Sequence, residues 1–395
     1  MQKSLDMIFN GYINKKKIFK NKKAITNTYK PNELPHRDKE IETIASILAP
    51  SINGERPSNL FIFGKPGTGK TAVMYFVSKK LTEVAKGKVN IFYLNCKMRN
   101  VADTEYRMIA QLTRELGEFV PVTGLPTDHV YNLFFKALEK RGNIVILILD
   151  EIDALVEKIG DNFLYNLTRI NEDLKNTQIS IVGISNNLSF TNNLDPRVKS
   201  SLSEEEVIFH PYNAAQLRDI LKRRSEEAFK ENTLGSGVIE KCAALAAQEH
   251  GDARRALDLL RVAAEIAERE NSEKIEERHV DMAESKIDND RIIEIVKTQP
   301  RQSQAVLWSI LKTGGDVQTG DIFSIYEKIC KENGLTPLTQ RRVSDLIAEL
   351  DMLGIINAKV VSKGRYGRTR IIRINLQEPL INDIKKILQT NYYFQ

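Results

Sequence analysis

The sequence predicts an α/β domain built on a parallel sheet, then a small all-α domain, then a C-terminal winged helix. Three observations carry this. Apolar strands alternate with helical patterns from Ile41 to about His210, an order that gives a parallel sheet flanked by helices. After Pro211 the strands vanish and three helical stretches follow one another. From Ser303 three more helical stretches end in a hairpin-like run. With 395 residues the chain has room for two or three cores of ordinary size.

Hydrophobic residues at 42% and charged residues at 28% are the balance of a folded, soluble chain. The longest apolar run, Ile144 to Leu149, is far short of the roughly 20 residues of a spanning helix. The N-terminus lacks the order of a secretory signal. A cytoplasmic, nucleoid-associated protein with no membrane partner is expected. Cys96, Cys242 and Cys330 are scattered and odd in number, so they read as core thiols rather than a disulfide framework or metal site. A net charge of +6 favours nucleic acid only weakly, and where the charge sits matters more.

Residues 1–30 carry Lys15, Lys16, Lys17, Lys20, Lys22 and Lys23 with few apolar anchors and read as a basic flexible arm, whether brushing phosphates or merely solvated. Residues 31–210 form the α/β part: a helix from Ile41, a strand at Asn59–Phe63, a glycine loop, a helix to Ala85 and a strand at Val89–Asn95. Ile144–Leu149 and Ile179–Ile184 do not alternate, so they read as strands buried on both faces. Residues 211–295 hold the three helices of a lid, starting near Ala214, Ser236 and Ala253, and a charged connection. Residues 296–395 form the last domain.

Gly64-Lys65-Pro66-Gly67-Thr68-Gly69-Lys70-Thr71 fits G-x-x-x-x-G-K-[ST], follows a strand and opens a helix that continues with Ala72. In this setting glycines let backbone amides curl around phosphate oxygens, Lys70 reaches the β and γ phosphates, and Thr71 ligates Mg2+. A chance glycine turn is the competing reading. Asp150 and Glu151 end a buried strand, where acids face the ligand crevice of an open α/β sheet. Asp150 is expected at the magnesium and Glu151 at the attacking water, although a charge pair at a helix start would look the same. Asn186, ending the next strand, is placed to bond the γ-phosphate or the water, or else simply turns the chain. Arg254 and Arg255 open a lid helix, and one of them, Arg254, is expected to face the cleft; a surface pair is the alternative.

In the last domain the helix LTQRRVSDLIAELDMLG buries Val343, Leu346, Ile347, Leu350 and Leu353, with Thr336-Pro337 as its start signal. Stepping by about 100° per residue puts Arg341, Ser344, Asp345 and Ala348 on the opposite face, and this face, led by Arg341 with Arg342 beside it, suits a DNA major groove. Lys363, Arg365, Tyr366, Arg368, Arg370 and Arg373 crowd a glycine-containing hairpin without an acid among them, as a DNA-tracking wing would. A protein-contacting winged helix remains the other reading.

The order of phosphate loop, Asp-Glu strand, Asn-ended strand and lid arginine resembles Walker A, Walker B, sensor 1 and sensor 2 of AAA+ ATPases. Tyr29-Lys30-Pro31-Asn32-Glu33-Leu34-Pro35-His36-Arg37 resembles the segment with which archaeal initiators border the adenine, which adds Leu34, Pro35, His36 and Arg37 to the nucleotide site. Asn193 to Leu202 and Pro211-Tyr212-Asn213-Ala214 are similar to further boxes of that family, and Tyr212 joins the site with them. From Tyr29 onward the chain resembles archaeal replication initiators of the origin-recognition-complex and cell-division-control-six type.

The resemblance implies an α/β AAA+ P-loop domain with a parallel sheet, an all-α lid domain and a C-terminal winged-helix domain. It implies ATP or ADP with Mg2+, double-stranded origin DNA as ligand, and the replicative helicase and paralogous initiators as partners. Asp103 to Asn132 resemble the family's DNA-touching helical insertion, though a plain helix with a proline-rich turn fits as well. Ser201 stands where many AAA+ relatives place an arginine finger, leaving Arg197 and Lys199 nearby. Because such a finger is worth about 10³ to 10⁵ in turnover, hydrolysis by the chain alone should be slow. A clamp-loader-like remodelling ATPase and an ATP-gated transcription regulator are the competing functions.

Overall fold

The computed structural model describes residues 17–97, 104–121, 123–202, 204–362 and 368–391. The chain divides into two compact units, Met1–Val280 and Asp281–Gln395. Among the described residues no helix is long and apolar enough to cross a membrane.

In the first unit β1 (Asn59–Gly64), β2 (Val89–Asn95), β3 (Ile144–Asp150), β4 (Gln178–Ser185) and β5 (Glu204–Phe209) form one sheet in the order β2-β3-β4-β1-β5. All its pairings are parallel. Because successive side chains alternate between faces, Leu60, Ile62, Ile144, Ile146 and Ile148 pack on one side with α1 (Asp38–Leu48) and α2 (Lys70–Ala85). Phe61, Phe63, Val145, Leu147 and Leu149 pack on the other. There they meet α3 (Glu105–Glu115), α4 (Thr127–Glu139), α5 (Ile152–Ile159), α6 (Asn162–Arg169) and α7 (Pro196–Leu202). Burial on both faces is why these strands are unbroken apolar runs.

β5 is not apparent in the sequence. Three consecutive glutamates hide its pattern, and only Val207 and Phe209 are buried; charge on an edge strand discourages pairing with another chain. Parallel register also sets the functional rim. Asn95 lies opposite Asp150, Asp150 opposite Ile184, and Phe63 opposite Ser185, so the C-terminal ends of four strands meet along one edge.

The lid follows as α8 (Ala214–Ala228), α9 (Val238–Glu249) and α10 (Ala253–Arg269). A reciprocal Asn213–Gln216 capping box starts α8 one residue after Tyr212. The flexible-arm expectation needs correction from Lys17 onward. Ile18, Ala24 and Ile25 are buried. The Ile18 amide donates to Glu268 of α10 (2.9 Å) and the Lys20 amide to the Ala228 carbonyl (2.8 Å). Two short apolar pairs among the lysines, Ile18-Phe19 and Ala24-Ile25, are enough to strap this segment onto the lid. Lys15 and Lys16 lie outside the described residues.

The helix α11 (Glu277–Thr298) contains the division between the units. The second unit continues with α12 (Arg301–Thr313), β6 (Val317–Gln318), α13 (Thr319–Glu332), α14 (Gln340–Met352), β7 (Ile356–Ser362), β8 (Arg368–Ile374) and α15 (Glu378–Asn391). Its sheet is antiparallel, in the order β6-β8-β7. Trp308, Tyr326, Ile347, Leu350 and Ile372 share its core. The expected winged helix gains two elements: the turn before α13 supplies β6, and α15 adds Leu380, Ile384 and Leu388 to the core. Thr339, rather than Thr336-Pro337, caps α14, accepting from the Arg342 amide. Leu353 is exposed, because α14 ends at Met352 and the chain turns at Gly354 with φ 75°.

Candidate functional site

Lys70 opens α2, and its side chain curls back over the loop. Its Nζ donates to the carbonyls of Gly64 (2.6 Å) and Lys65 (2.9 Å) and to Asn186 Oδ1 (2.8 Å). Burial lowers its pKa to about 8, with Asp150 pulling the other way. Polyphosphate would replace neutral acceptors with charged ones and favour the ammonium form. Thr71 Oγ1 donates to Asp150 Oδ2 at 2.9 Å, and the Tyr93 hydroxyl donates to the same oxygen at 2.6 Å. Burial, then this bond, hold the Tyr93 phenol well above its ordinary pKa. Glu151 sits in the left-handed region at φ 57°, its amide bonded to Asp150 Oδ1 (3.0 Å) and its carboxylate 3.3 Å from Lys97 Nζ. A non-glycine residue in that region is uncommon, and such backbone is concentrated at functional sites.

The lid closes over this rim. The Ala253 amide donates to the Gly67 carbonyl at 3.2 Å. Arg254 is exposed and lines the cavity, whereas Arg255 turns to Glu249 at 2.9 Å. The cavity, about 960 Å³, is lined by Gly67, Gly69, Lys70, Thr71, Ala72, Asp150, Glu151, Asn186, Tyr212 and Arg254. Leu34, Pro35, Leu257 and Ile220 add an apolar end. Gly64, Lys65, Pro66 and Thr68 are not on its surface. Gly64 and Lys65 act through the carbonyls that hold Lys70.

Two residues assigned to the nucleotide face elsewhere. His36 turns to Asp219 of α8, 3.0 Å away. Arg37 is buried and fully engaged: Nε donates to the Thr68 carbonyl (3.0 Å) and the Tyr212 hydroxyl (2.9 Å), Nη1 to Glu40 (2.7 Å) and Nη2 to the His210 carbonyl (2.7 Å). It stacks on the Tyr212 ring at 4.0 Å. Arg37 therefore ties the phosphate loop to the hinge between sheet and lid. Ser201 is occupied by Thr168 (3.0 Å) and Arg197 by Asp195 (3.1 Å).

In the winged helix Arg341 and Arg342 are exposed on α14. Arg342 lies 3.7 Å from both Asp345 and Glu349, while Arg341 has no ion pair among the described residues. Ser344 is half-buried, and its carbonyl accepts from Arg370 Nη1 at 2.9 Å. Arg373 pairs with Asp316 rather than joining a basic tip. Lys363, Arg365 and Tyr366 lie outside the described residues, as does the side chain of Arg368.

Residues 53–189 match the AAA domain family, residues 218–285 the Cdc6 AAA+ ATPase-type lid domain, and residues 294–384 the CDC6 C terminal winged helix domain. The chain is 52% identical over 391 residues to the ORC1-type DNA replication protein of Thermococcus onnurineus, covering 96% of this chain and 94% of the relative. It belongs to the archaeal ORC1-type DNA replication proteins. The Pyrococcus furiosus member is 51% identical over 405 residues, covering 100% and 95% of the two chains. The solved structure of the Aeropyrum pernix ORC1 protein in complex with DNA superposes with a TM-score of 0.80 at 44% identity, covering 96% of this chain and 98% of that one.

As an ORC1-type protein the chain is an AAA+ ATPase, yet several of its cavity residues carry no motif. Tyr75 lies under Lys30 Nζ at 3.5 Å. Arg224 donates to the Thr26 carbonyl (2.9 Å) and covers the Tyr29 ring, and Tyr29 donates to Glu227 (2.5 Å). The resemblance of Tyr29 to Arg37 pointed to that wall. Nothing in the helical pattern of Arg223-Arg224 did.

Proposed function

We propose that this ORC1-type protein holds ATP or ADP with Mg2+ between its sheet rim and its lid, and acts as a slow nucleotide-controlled switch. In this reading it binds duplex origin DNA through the winged helix and through the α3–α4 region, and helps recruit or load the replicative helicase, alone or with paralogous initiators. The observation that carries it is the linked set of bonds around the rim, Lys70 to Asn186 and Thr71 to Asp150, in a chain that also bears a winged helix.

Among the described residues no cluster of His, Cys, Asp or Glu would hold a metal alone. The Thr71 hydroxyl and Asp150 carboxylate, 2.9 Å apart, fit Mg2+, which takes few protein oxygens and completes its shell with phosphates and water. Held there, the ion would supply positive charge against the β and γ phosphates. Lys70 binds the same oxygens from the loop side. Glu151 orients the attacking water and takes its proton, Asn186 fixes the γ-phosphate, and Arg254 meets it from the lid. Turnover is slow because Ser201 brings no cation to the phosphate and Lys97 occupies the Glu151 carboxylate.

Salt titrations of duplex binding with ATP and with ADP test the reading. Affinity should fall steeply with salt and differ between nucleotides. Absence of salt-sensitive duplex binding would favour the clamp-loader-like alternative. Preference for promoter over origin DNA would favour the transcription regulator.

A further inference from the structure

We propose that Tyr93 is a positioning residue for the metal: its hydroxyl aims the Asp150 carboxylate at the Mg2+ site and so sets how strongly nucleotide binding depends on the ion. The proposal rests on the assignment of Thr71 and Asp150 to Mg2+ above.

Tyr93 lies on β2 opposite Ile148 of β3, two residues before the rim pair Asn95 and Asp150. Side chains two apart on a strand share a face, so the phenol runs along the sheet and delivers its oxygen to the rim, 2.6 Å from Asp150 Oδ2. Asp150 is buried, and three donors fix its plane: Tyr93 and Thr71 on Oδ2, and the Glu151 amide on Oδ1. A carboxylate offers about four acceptor sites, so three donors leave little freedom to rotate and one direction open. Of the three, the Glu151 amide is backbone and Thr71 is itself a metal ligand in this reading. Tyr93 alone is a side chain with no other task at the ion.

Tyr93 is about half exposed over the whole residue (48%), although its hydroxyl end is desolvated beside Asp150. Phenylalanine at this position would therefore remove the hydrogen bond while opening no cavity. Groups that orient metal ligands typically cost about 10-fold to 100-fold in metal affinity when lost.

The test is Tyr93→Phe in the full chain, beside the parent and Asp150→Asn. A fluorescent ADP analogue is titrated first in EDTA and then at graded Mg2+, with melting followed in parallel. The expected result is metal-free affinity within about twofold of the parent and a half-saturating Mg2+ concentration raised about tenfold or more. If Asp150→Asn shifts the Mg2+ requirement and Tyr93→Phe does not, the positioning role is overturned. Loss of metal-free affinity in step with melting temperature would also overturn it, because the bond would then only support the fold. If Asp150→Asn leaves the requirement unchanged, the metal assignment itself fails.

Discussion

Asp252, the N-cap of α10, leans over Gly67 of the phosphate loop so closely that a Cβ there would come within 1.6 Å of Asp252 Oδ1. Gly67 also has φ 73°, and its carbonyl receives the Ala253 amide. The glycine thus serves the packing of the lid on the loop. Gly67→Ala should push the lid carboxylate away and cut ADP affinity about tenfold or more while the helical signal persists, since forced off-geometry contacts cost about 1 to 3 kcal/mol. Asp252→Ala, which removes the cap on the Arg254 amide (2.7 Å), should destabilise the chain by about 1 kcal/mol. Equal ADP affinity for Gly67→Ala and parent would refute the contact.

Lys70→Ala should reduce nucleotide affinity by about tenfold to a hundredfold, the range for losing charge-assisted bonds worth about 1.5 to 3 kcal/mol. Glu151→Gln keeps the amide bond to Asp150 and should bind ATP as the parent does, yet lose most single-turnover hydrolysis. Retained turnover in Glu151→Gln would remove Glu151 from the water's side.

Burial in the lid pushes the Cys242 thiol up to about 12. Unfolded, the thiol releases its proton near 9, while the folded chain keeps it until about 12. Between those values the folded state binds more protons, so this contribution lowers stability as pH rises above 9 and is absent below it. Melting of the parent should therefore fall more between pH 8 and pH 10 than melting of Cys242→Ala. Parallel pH profiles would contradict this.

The phosphate loop was legible because its chemistry needs glycines, a lysine and a hydroxyl at fixed spacing next to a strand. Asp150 and Glu151 stood out because they break off an apolar run. Tyr93 was not legible: a phenol in VNIFYLN reads as core, and only strand register reveals that it reaches the rim. Arg37 was read as a nucleotide contact because its segment resembles one, yet its partners Thr68, His210 and Tyr212 come together only in three dimensions. The strap at Ile18 to Ile25 was masked by the lysines between its apolar residues, and β5 by its glutamates.

The winged helix separates two arginine roles that composition alone merged. Arg341 is exposed on α14 with no ion pair among the described residues, so it is free to present a fork of donors to a base edge. Arg370 is half-buried and spends a donor on the Ser344 carbonyl, which fastens β8 to α14. Arg341→Ala should therefore cost about 1 to 3 kcal/mol on a preferred duplex and relax sequence preference. Arg370→Ala should instead loosen the helix against the wing, lowering affinity for the preferred duplex while leaving the salt slope nearly unchanged, because few counterions are released by a charge already bonded within the protein. Salt titrations of both variants on preferred and scrambled duplexes decide between these roles. A slope about one unit flatter for Arg370→Ala, with the preferred-to-scrambled ratio intact, would make Arg370 a phosphate contact. Parent-like affinity of Arg341→Ala for both duplexes would mean that DNA does not read this face of α14.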